Sequence, residues 1–134
     1  MISDKLFGVC AALLLSGCVA PDAREPVYSP SELNTHPKLY EGREVRVRGW
    51  IVLRPENRNI WDAKSDFEQI ADLSHCVSLI GVHDWTLDRR IDDQVLTISG
   101  VFHQYEHPEE PVLGMCNNSA IEVNTSKSPF RNSR

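Results

Sequence analysis

Residues 42–62 read GREVRVRGWIVLRPENRNIWD. Between positions 44 and 54, Val, Ile and Leu alternate with residues that are mostly charged or aromatic, and Gly49 replaces one of the apolar residues. Alternation with a period of two is typical of a β-strand with one buried face, and an interior glycine often marks a bend. The stretch therefore predicts a long curved strand followed by a loop and a second strand at 59–63. A strand of an ordinary β-sandwich would show the same alternation.

Three later segments also have the character of strands. Residues 76–82 (CVSLIGV) are almost continuously apolar, as in a central strand, and residues 94–105 repeat the alternating pattern with Gly100 in the middle. Residues 119–123 supply a short last strand. Short helices are predicted behind Ser29 as N-cap, with Leu33 facing inward, and at 83–91. Residues 66–72, behind a Ser65–Glu68 capping box, are predicted to form a short helix or an irregular turn.

The N-terminal residues have the features of a secretion signal. The apolar run at 6–15 is too short to span a bilayer as a helix but suits the core of a signal peptide. Leu15-Ser16-Gly17-Cys18 follows this run and closely resembles the bacterial lipoprotein box, in which the cysteine is lipidated and becomes the new N-terminus. An ordinary signal peptide cut at another position is the alternative interpretation.

This resemblance implies a lipid anchor on Cys18, with Val19 after it favouring the outer membrane over the inner one. The protein would then face the periplasm. The segment after Cys18 contains two prolines and little apolar content, so it is predicted to be a semi-extended tether. The predicted divisions are a signal peptide at 1–17, an anchor and tether at 18–29, a folded domain at 30–124 and a disordered polar tail at 125–134.

The lipoprotein interpretation also leaves a pair of cysteines. Of the four cysteines, Cys10 would leave with the signal peptide and Cys18 would carry lipid. Cys76 and Cys116 remain, and in an oxidising compartment such a pair is expected to form a disulfide. A redox or metal role would need a CxxC arrangement or a further ligand.

The predicted strands fit the OB-fold order, in which five strands close into a barrel and two long strands bend at glycines. The segments LYEGREVRVRGWIVL, CVSLIGV, VLTISGVF and AIEV resemble small periplasmic OB-fold lipoproteins of bacteria. The resemblance implies an all-β domain whose third and fifth strands are parallel neighbours, which would bring Cys76 and Cys116 together. Residues 64–74 are a longer excursion than this fold needs, either a lid over a binding face or a decorated hairpin.

Positively charged and aromatic residues mark a candidate binding face. Arg46, Arg48 and Arg54 share the polar side of the first long strand with Trp50, and Trp61 lies on the second strand. OB folds bind ligands through aromatic residues on such strands, and arginines suit an anionic partner. The alternatives are a solvated strand face balanced by nearby acids and tryptophans that pack in the core.

The sequence gives little support for catalysis or for cofactors. No GxSxG elbow, phosphate-binding glycine loop or recognisable carboxylate pair is present. His103 and His107 are four residues apart, but one is expected on a strand and the other in a loop, so the pair lacks the geometry of a zinc site. We expect neither an enzyme nor a bound metal or cofactor.

The net charge of −5 argues against nucleic-acid binding, which depends on surplus Lys and Arg. The expected function is that of a non-enzymatic, lipid-anchored binding or accessory module that recognises an envelope protein or an anionic envelope component. Two other classes remain open. One is an immunity or inhibitor lipoprotein that blocks a periplasmic toxin, and the other is a binder of a small molecule or an oligosaccharide.

Overall fold

A computed structural model of the chain describes residues 24–55, 57–70, 72–82, 91–105, 116 and 118–127. In these ranges no helix is long and apolar enough to cross a membrane. Several expectations lie outside the described residues. They are the signal peptide with Cys18, residues 83–90 of the helix predicted at 83–91, the stretch 106–115 with His107, and the end of the tail at 128–134.

Five strands close into a barrel, and a sixth strand extends it. The strands are β1 (Val27–Tyr28), β2 (Glu44–Arg54), β3 (Asn57–Trp61), β4 (Cys76–Ile80), β5 (Gln94–Gln104) and β6 (Ser119–Val123). Around the barrel the order is β2-β3-β4-β6-β5, and β5 pairs with β2 again. The β4–β6 pair is parallel and the other barrel pairs are antiparallel. The predicted all-β, five-stranded OB-fold-like barrel is confirmed.

The two long strands carry glycines where a neighbouring strand passes too close for any side chain. A Cβ atom on Gly49 would overlap the carbonyl oxygen of Trp61, and one on Gly100 would overlap the carbonyl oxygen of Glu122. These glycines are therefore required by contact with backbone atoms, which is how the strands bend tightly enough to close the barrel.

The core fills the barrel with the inward side chains of all five strands. These fully or nearly fully buried residues are Val45, Val47, Ile51, Leu53, Ile60, Val77, Leu79, Ile98, Phe102, Ile121 and Val123. Helix α1 (Pro30–Thr35) adds Leu33, which has no exposed surface. Complete burial of such a side chain stabilises the fold by about 1.5–3 kcal/mol.

Helix α1 begins with a complete capping box. The Ser29 hydroxyl accepts a hydrogen bond from the Glu32 backbone N–H at 3.2 Å, and the Glu32 carboxylate accepts one from the Ser29 N–H at 2.6 Å. Pro30 occupies the first turn, where its missing N–H has no partner to lose. The predicted cap at Ser29 is confirmed, and a second short helix, α2 (Pro37–Tyr40), follows directly.

The folded part begins earlier than the predicted tether boundary. Val27–Tyr28 forms β1, which pairs in parallel with Arg46 and Val47 of β2. The Tyr28 ring meets the Tyr40 ring edge-on, with 4.9 Å between their centroids, and packs against the core. A two-residue strand gives no periodicity to read in the sequence, and the partly buried Tyr28 ring attaches it to the core.

Two further boundaries differ from expectation. Helix α3 (Lys64–Gln69) begins before Ser65, its N-cap is Ala63, and no side chain caps it, so the Ser65–Glu68 capping box was wrong. At the other end, residues 125–127 were expected to be disordered. They form a turn in which Lys127 N–H donates to the Asn124 carbonyl at 3.1 Å.

A disulfide joins Cys76 and Cys116, whose Cα atoms are 5.3 Å apart. Cys76 opens β4, and Cys116 forms an isolated bridge with Ser119 at the start of β6. Because β4 and β6 are parallel neighbours, their first residues lie at the same end of the barrel. The predicted pairing is confirmed, for the reason that the strand order implied.

Candidate functional site

The outer surface of β2 carries a row of side chains that point away from the core. We call Glu44, Arg46, Arg48 and Trp50 the outer row, since they occupy alternate positions of one strand. Residues that alternate along a strand lie about 6.6 Å apart on one face. The two arginines therefore stand next to each other.

The arginines of the outer row have neutral hydrogen-bond partners. Arg46 Nη1 lies 3.5 Å from the Glu25 carbonyl oxygen, and Arg48 Nη1 lies 3.3 Å from the Thr97 hydroxyl. Glu44, which would be the natural counter-ion, is instead 2.7 Å from Lys127 Nζ. Within the described ranges neither guanidinium forms an ion pair with a carboxylate, so their positive charge is locally uncompensated.

Apolar side chains flank these arginines. Val27 on β1 is the register partner of Arg46, and its side chain is 45% exposed. Val95 on β5 is the register partner of Trp50, and it is 49% exposed. A positively charged centre with apolar edges on an open strand surface is the composition of a protein contact rather than of a closed small-molecule pocket.

The two tryptophans differ in exposure, since Trp50 is half-buried and Trp61 is buried. Trp61 is only 2% exposed and belongs to a second, smaller core with Val52 and the disulfide. Trp50 and Phe67 pack against this core from the side. The expectation of one face formed by Arg46, Arg48, Trp50, Arg54 and Trp61 therefore needs a correction, because Trp61 is inaccessible in this conformation.

Helix α3 is what covers the tryptophans. The Phe67 ring meets the Trp61 ring edge-on, with 5.7 Å between centroids, and Lys64 Nζ stands 5.1 Å from the centre of the Trp50 ring. The Arg54 guanidinium lies 5.3 Å from the centre of the Phe67 ring. Arg54 is thus engaged with α3 and does not extend the pair Arg46 and Arg48. Of the two interpretations of the 64–74 excursion, this placement favours a cover over the predicted face.

Both covered indoles leave a donor without an acceptor. The Nε1 atoms of Trp50 and Trp61 are buried and have no hydrogen-bond partner in the part of the chain that the structure describes. An unsatisfied buried donor of this kind costs about 1–3 kcal/mol. The covered arrangement therefore carries a penalty that an acceptor atom placed at the indoles would remove.

A cluster of ionisable groups closes the base of the excursion. His75 Nδ1 is 2.7 Å from Asp62 Oδ2, and His75 Nε2 is 3.6 Å from Asp72 Oδ2. The other oxygen of Asp62 accepts the Ser31 backbone N–H at 2.9 Å, which ties the cluster to α1. We call Asp62, Asp72 and His75 the clasp, because they join the two ends of the segment that carries α3.

The pKa values of two clasp residues, His75 and Asp72, depart from their ordinary values. The hydrogen bond with Asp62 raises the pKa of His75 above its ordinary value, with the charges of Asp62, Asp66 and Asp72 adding to the effect and burial opposing it. Hydrogen bonds from Ser74 lower the pKa of Asp72. The clasp is therefore strongest with His75 protonated.

Sequence reasoning missed the clasp, although one signal for it existed. Trp61 and Cys76 are register partners in the β3–β4 pair, so Asp62 and His75 come next on either side of the opened hairpin. An acid and a histidine that extend an antiparallel pair by one position are expected to meet. The boundary of β3, predicted two residues too late, hid this relation.

Neither candidate metal cluster has the character of a built site. Ligand atoms of Asp62, Asp66 and His75 lie within 4.8 Å of one another, yet His75 and Asp62 already bond to each other. His103 stands 3.8 Å from Glu41 and 3.3 Å from Glu122, and both acids are largely exposed. In both clusters the histidine and the acids form ion pairs with each other, and neither cluster is interpreted as a metal site.

Comparison with known proteins adds no assignment. No protein-family model matches the chain, and no curated protein matches it. The outer row, the covered tryptophans and the clasp are therefore the features of the protein that bear on its function.

Proposed function

We propose that the protein is a non-enzymatic binding or accessory module of the cell envelope, anchored by lipid on Cys18 and facing the periplasm from the outer membrane. Its contact surface is the exposed part of the outer row, centred on Arg46 and Arg48. The partner is an envelope protein that presents an acidic patch, and an anionic envelope component is the alternative that the test below separates.

One observation carries the proposal: two adjacent guanidinium groups bond only neutral acceptors while the nearest acid, Glu44, is paired with Lys127. Guanidinium groups bind carboxylates bidentately, and such charge-assisted hydrogen bonds are about twice as strong as neutral ones. The exposed Val27 and Val95 give a partner apolar area on both sides of the charges.

Two features support the anchoring. The sequence Leu15-Ser16-Gly17-Cys18 resembles the lipoprotein box, and the Cys76–Cys116 disulfide suits an oxidising compartment. Replacing Cys18 with Ser should move the protein from the membrane fraction to the soluble fraction, because the lipid is the anchor. Fractionation of cells followed by immunodetection measures this, and a C18S protein that stays with the membranes would contradict the anchor.

The contact surface is tested by charge reversal. The double variant R46E/R48E should lose the partner from crosslinked envelopes, because an acidic patch would then meet two carboxylates. Affinity recovery with mass spectrometry measures the loss. The matched control is K38E/R43E, which changes the net charge equally at exposed positions away from the centre of the row. Equal recovery by both double variants would contradict the proposal.

The nature of the partner follows from the same recovery. A single protein recovered by the unaltered chain and lost with R46E/R48E supports an adaptor role. Recovery of glycan or lipid without protein, lost with the same variant, identifies the anionic component instead.

A further inference from the structure

Helix α3 is held to the barrel more weakly than the other elements that contact it. None of its residues is buried, no side chain caps its first turn, and its Lys64–Glu68 ion pair, at 3.8 Å, is exposed. Ile70, the C-cap, has φ 42° and ψ 36°. This left-handed conformation is unfavourable for a β-branched residue by about 1–2 kcal/mol. The strain and the absent cap both favour release of α3.

The surface under α3 continues the outer row. Trp50 is the next outward position of β2 after Arg48, and Trp61 is its register partner on β3. Both indoles hold a buried N–H without an acceptor among the residues described. With α3 displaced, two guanidinium groups and two indole N–H donors would form one continuous donor-rich strip. Such a strip complements carboxylate and carbonyl oxygens, which an acidic protein surface supplies.

The clasp determines how firmly α3 is held. Protonated His75 donates to Asp62 from Nδ1 and attracts the Asp72 carboxylate, which lies 3.6 Å from Nε2. Neutral imidazole has a single N–H, so one nitrogen then presents a lone pair to a carboxylate. The titratable groups that face His75 are Asp62 beyond β3, Asp66 on α3 and Asp72. All three are acids, so loss of the proton removes the charge that attracts them to His75.

We propose that α3 is a removable cover, that loss of the His75 proton releases it, and that the uncovered Trp50 and Trp61 extend the contact surface for the acidic partner. This inference takes the identity of the partner from the proposed function. The opening of α3 is independent of the proposed function. The protein would bind its partner over a small surface while His75 is protonated and over a larger one once the pH has risen through the raised pKa of His75.

Opening is measured first, without any partner. Hydrogen–deuterium exchange of the α3 amides in the full-length protein is followed at about pH 5 and about pH 8.5, on either side of the His75 titration, and corrected for intrinsic exchange. Protection should fall about twofold to fivefold at the higher pH, the range expected for loss of a partly exposed ion pair. The H75Q variant should show the low protection at both pH values.

Two further variants make the result specific. H103Q is the matched control, because His103 also stands between two carboxylates but lies away from α3, and it should behave as the unaltered protein. D72N weakens the clasp at an exposed position and should lower protection in acid even if H75Q fails to fold. Protection of α3 that is independent of pH, or unchanged by D72N and H75Q, would overturn the cover.

Binding experiments with the partner separate this inference from the proposed function. Replacing Trp50 with Ala should weaken recovery of the partner about tenfold at pH 8.5, as for an anchoring aromatic residue, and less at pH 5. Equal recovery with W50A at both pH values overturns the extended surface while the role of Arg46 and Arg48 stands. Loss of binding with R46E/R48E at both pH values supports the proposed function and does not bear on the cover.

Discussion

His75 makes the stability of the fold depend on pH. Its pKa is raised in the folded state, so the stabilisation is fully present below the ordinary histidine value of about 6.5 and is lost as pH rises through the folded value. For a pair that is 40% exposed on the histidine side, the loss should be on the order of 0.5–1 kcal/mol. Urea unfolding from pH 5 to 8.5 measures it. The difference between the unaltered protein and H75Q should shrink with rising pH, and a constant difference would contradict the assignment.

The bends of the two long strands depend on single residues. G49A and G100A should each destabilise the fold by about 3 kcal/mol, the upper end for overpacking, because the new methyl group meets a backbone carbonyl oxygen that cannot move alone. G42A is the control, since a methyl group there meets nothing within 4 Å and pays about 1 kcal/mol for its positive φ. Chemical denaturation followed by circular dichroism ranks the three variants, and equal losses would contradict the packing argument.

At the same scale, single positions show where the sequence was informative. The inward residues of β2 followed directly from alternation, because successive side chains of a strand point to opposite faces. Trp61 was different. Its position on β3 was predicted, but its 2% exposure depends on Phe67 of α3 and on the disulfide, which lie outside its strand. Periodicity carries no information on such contacts.

Among the elements, α1 depends on its cap. S29A should cost about 1 kcal/mol, because the Glu32 N–H loses its acceptor and the reciprocal box opens. S65A is the matched control, because Ser65 stands in the same S-x-x-E spacing but caps nothing. Thermal unfolding compares the two variants. A loss with S65A as large as that with S29A would contradict the assignment of the caps.

The two S-x-x-E sequences also show the limit of local patterns. Both predict a helix start, and the one with Pro30 at the first helical position is used. In α3 the helix starts a residue before Ser65, where Lys64 reaches the Trp50 ring and Phe67 reaches Trp61. Contact with the barrel therefore sets this helix, and a pattern four residues long does not contain that contact.

For the whole molecule, the disulfide closes a loop with a sequence separation of 40. The double variant C76S/C116S should lose about 2–4 kcal/mol of unfolding free energy, because the unfolded chain gains the freedom that the bond removed. Urea titration with and without reductant measures this. The unaltered protein in reductant should approach the double variant, and the double variant itself should not respond to reductant. A reductant response in the double variant would contradict the explanation.

The closed barrel could be predicted from the sequence, whereas the covering of one of its faces by α3 could not. Two long strands with central glycines, a central apolar strand and a short last strand fit few closed arrangements, and the cysteine pair agrees with one of them. The clasp and the cover arise where the excursion at 64–74 returns to the barrel. Their geometry depends on a β3 boundary that alternation alone placed two residues too late.

The first strand has a consequence for distance. β1 fixes Val27 beside Arg46, so the chain leaves the barrel next to the arginines rather than at its far side. With Cys18 as the anchor, the tether between the lipid and Val27 comprises 27 − 18 = 9 residue steps. Fully stretched, it spans about 30 Å. A partner that touches the arginines must therefore present its acidic patch within that height of the bilayer, which favours proteins seated at the membrane surface over freely diffusing ones.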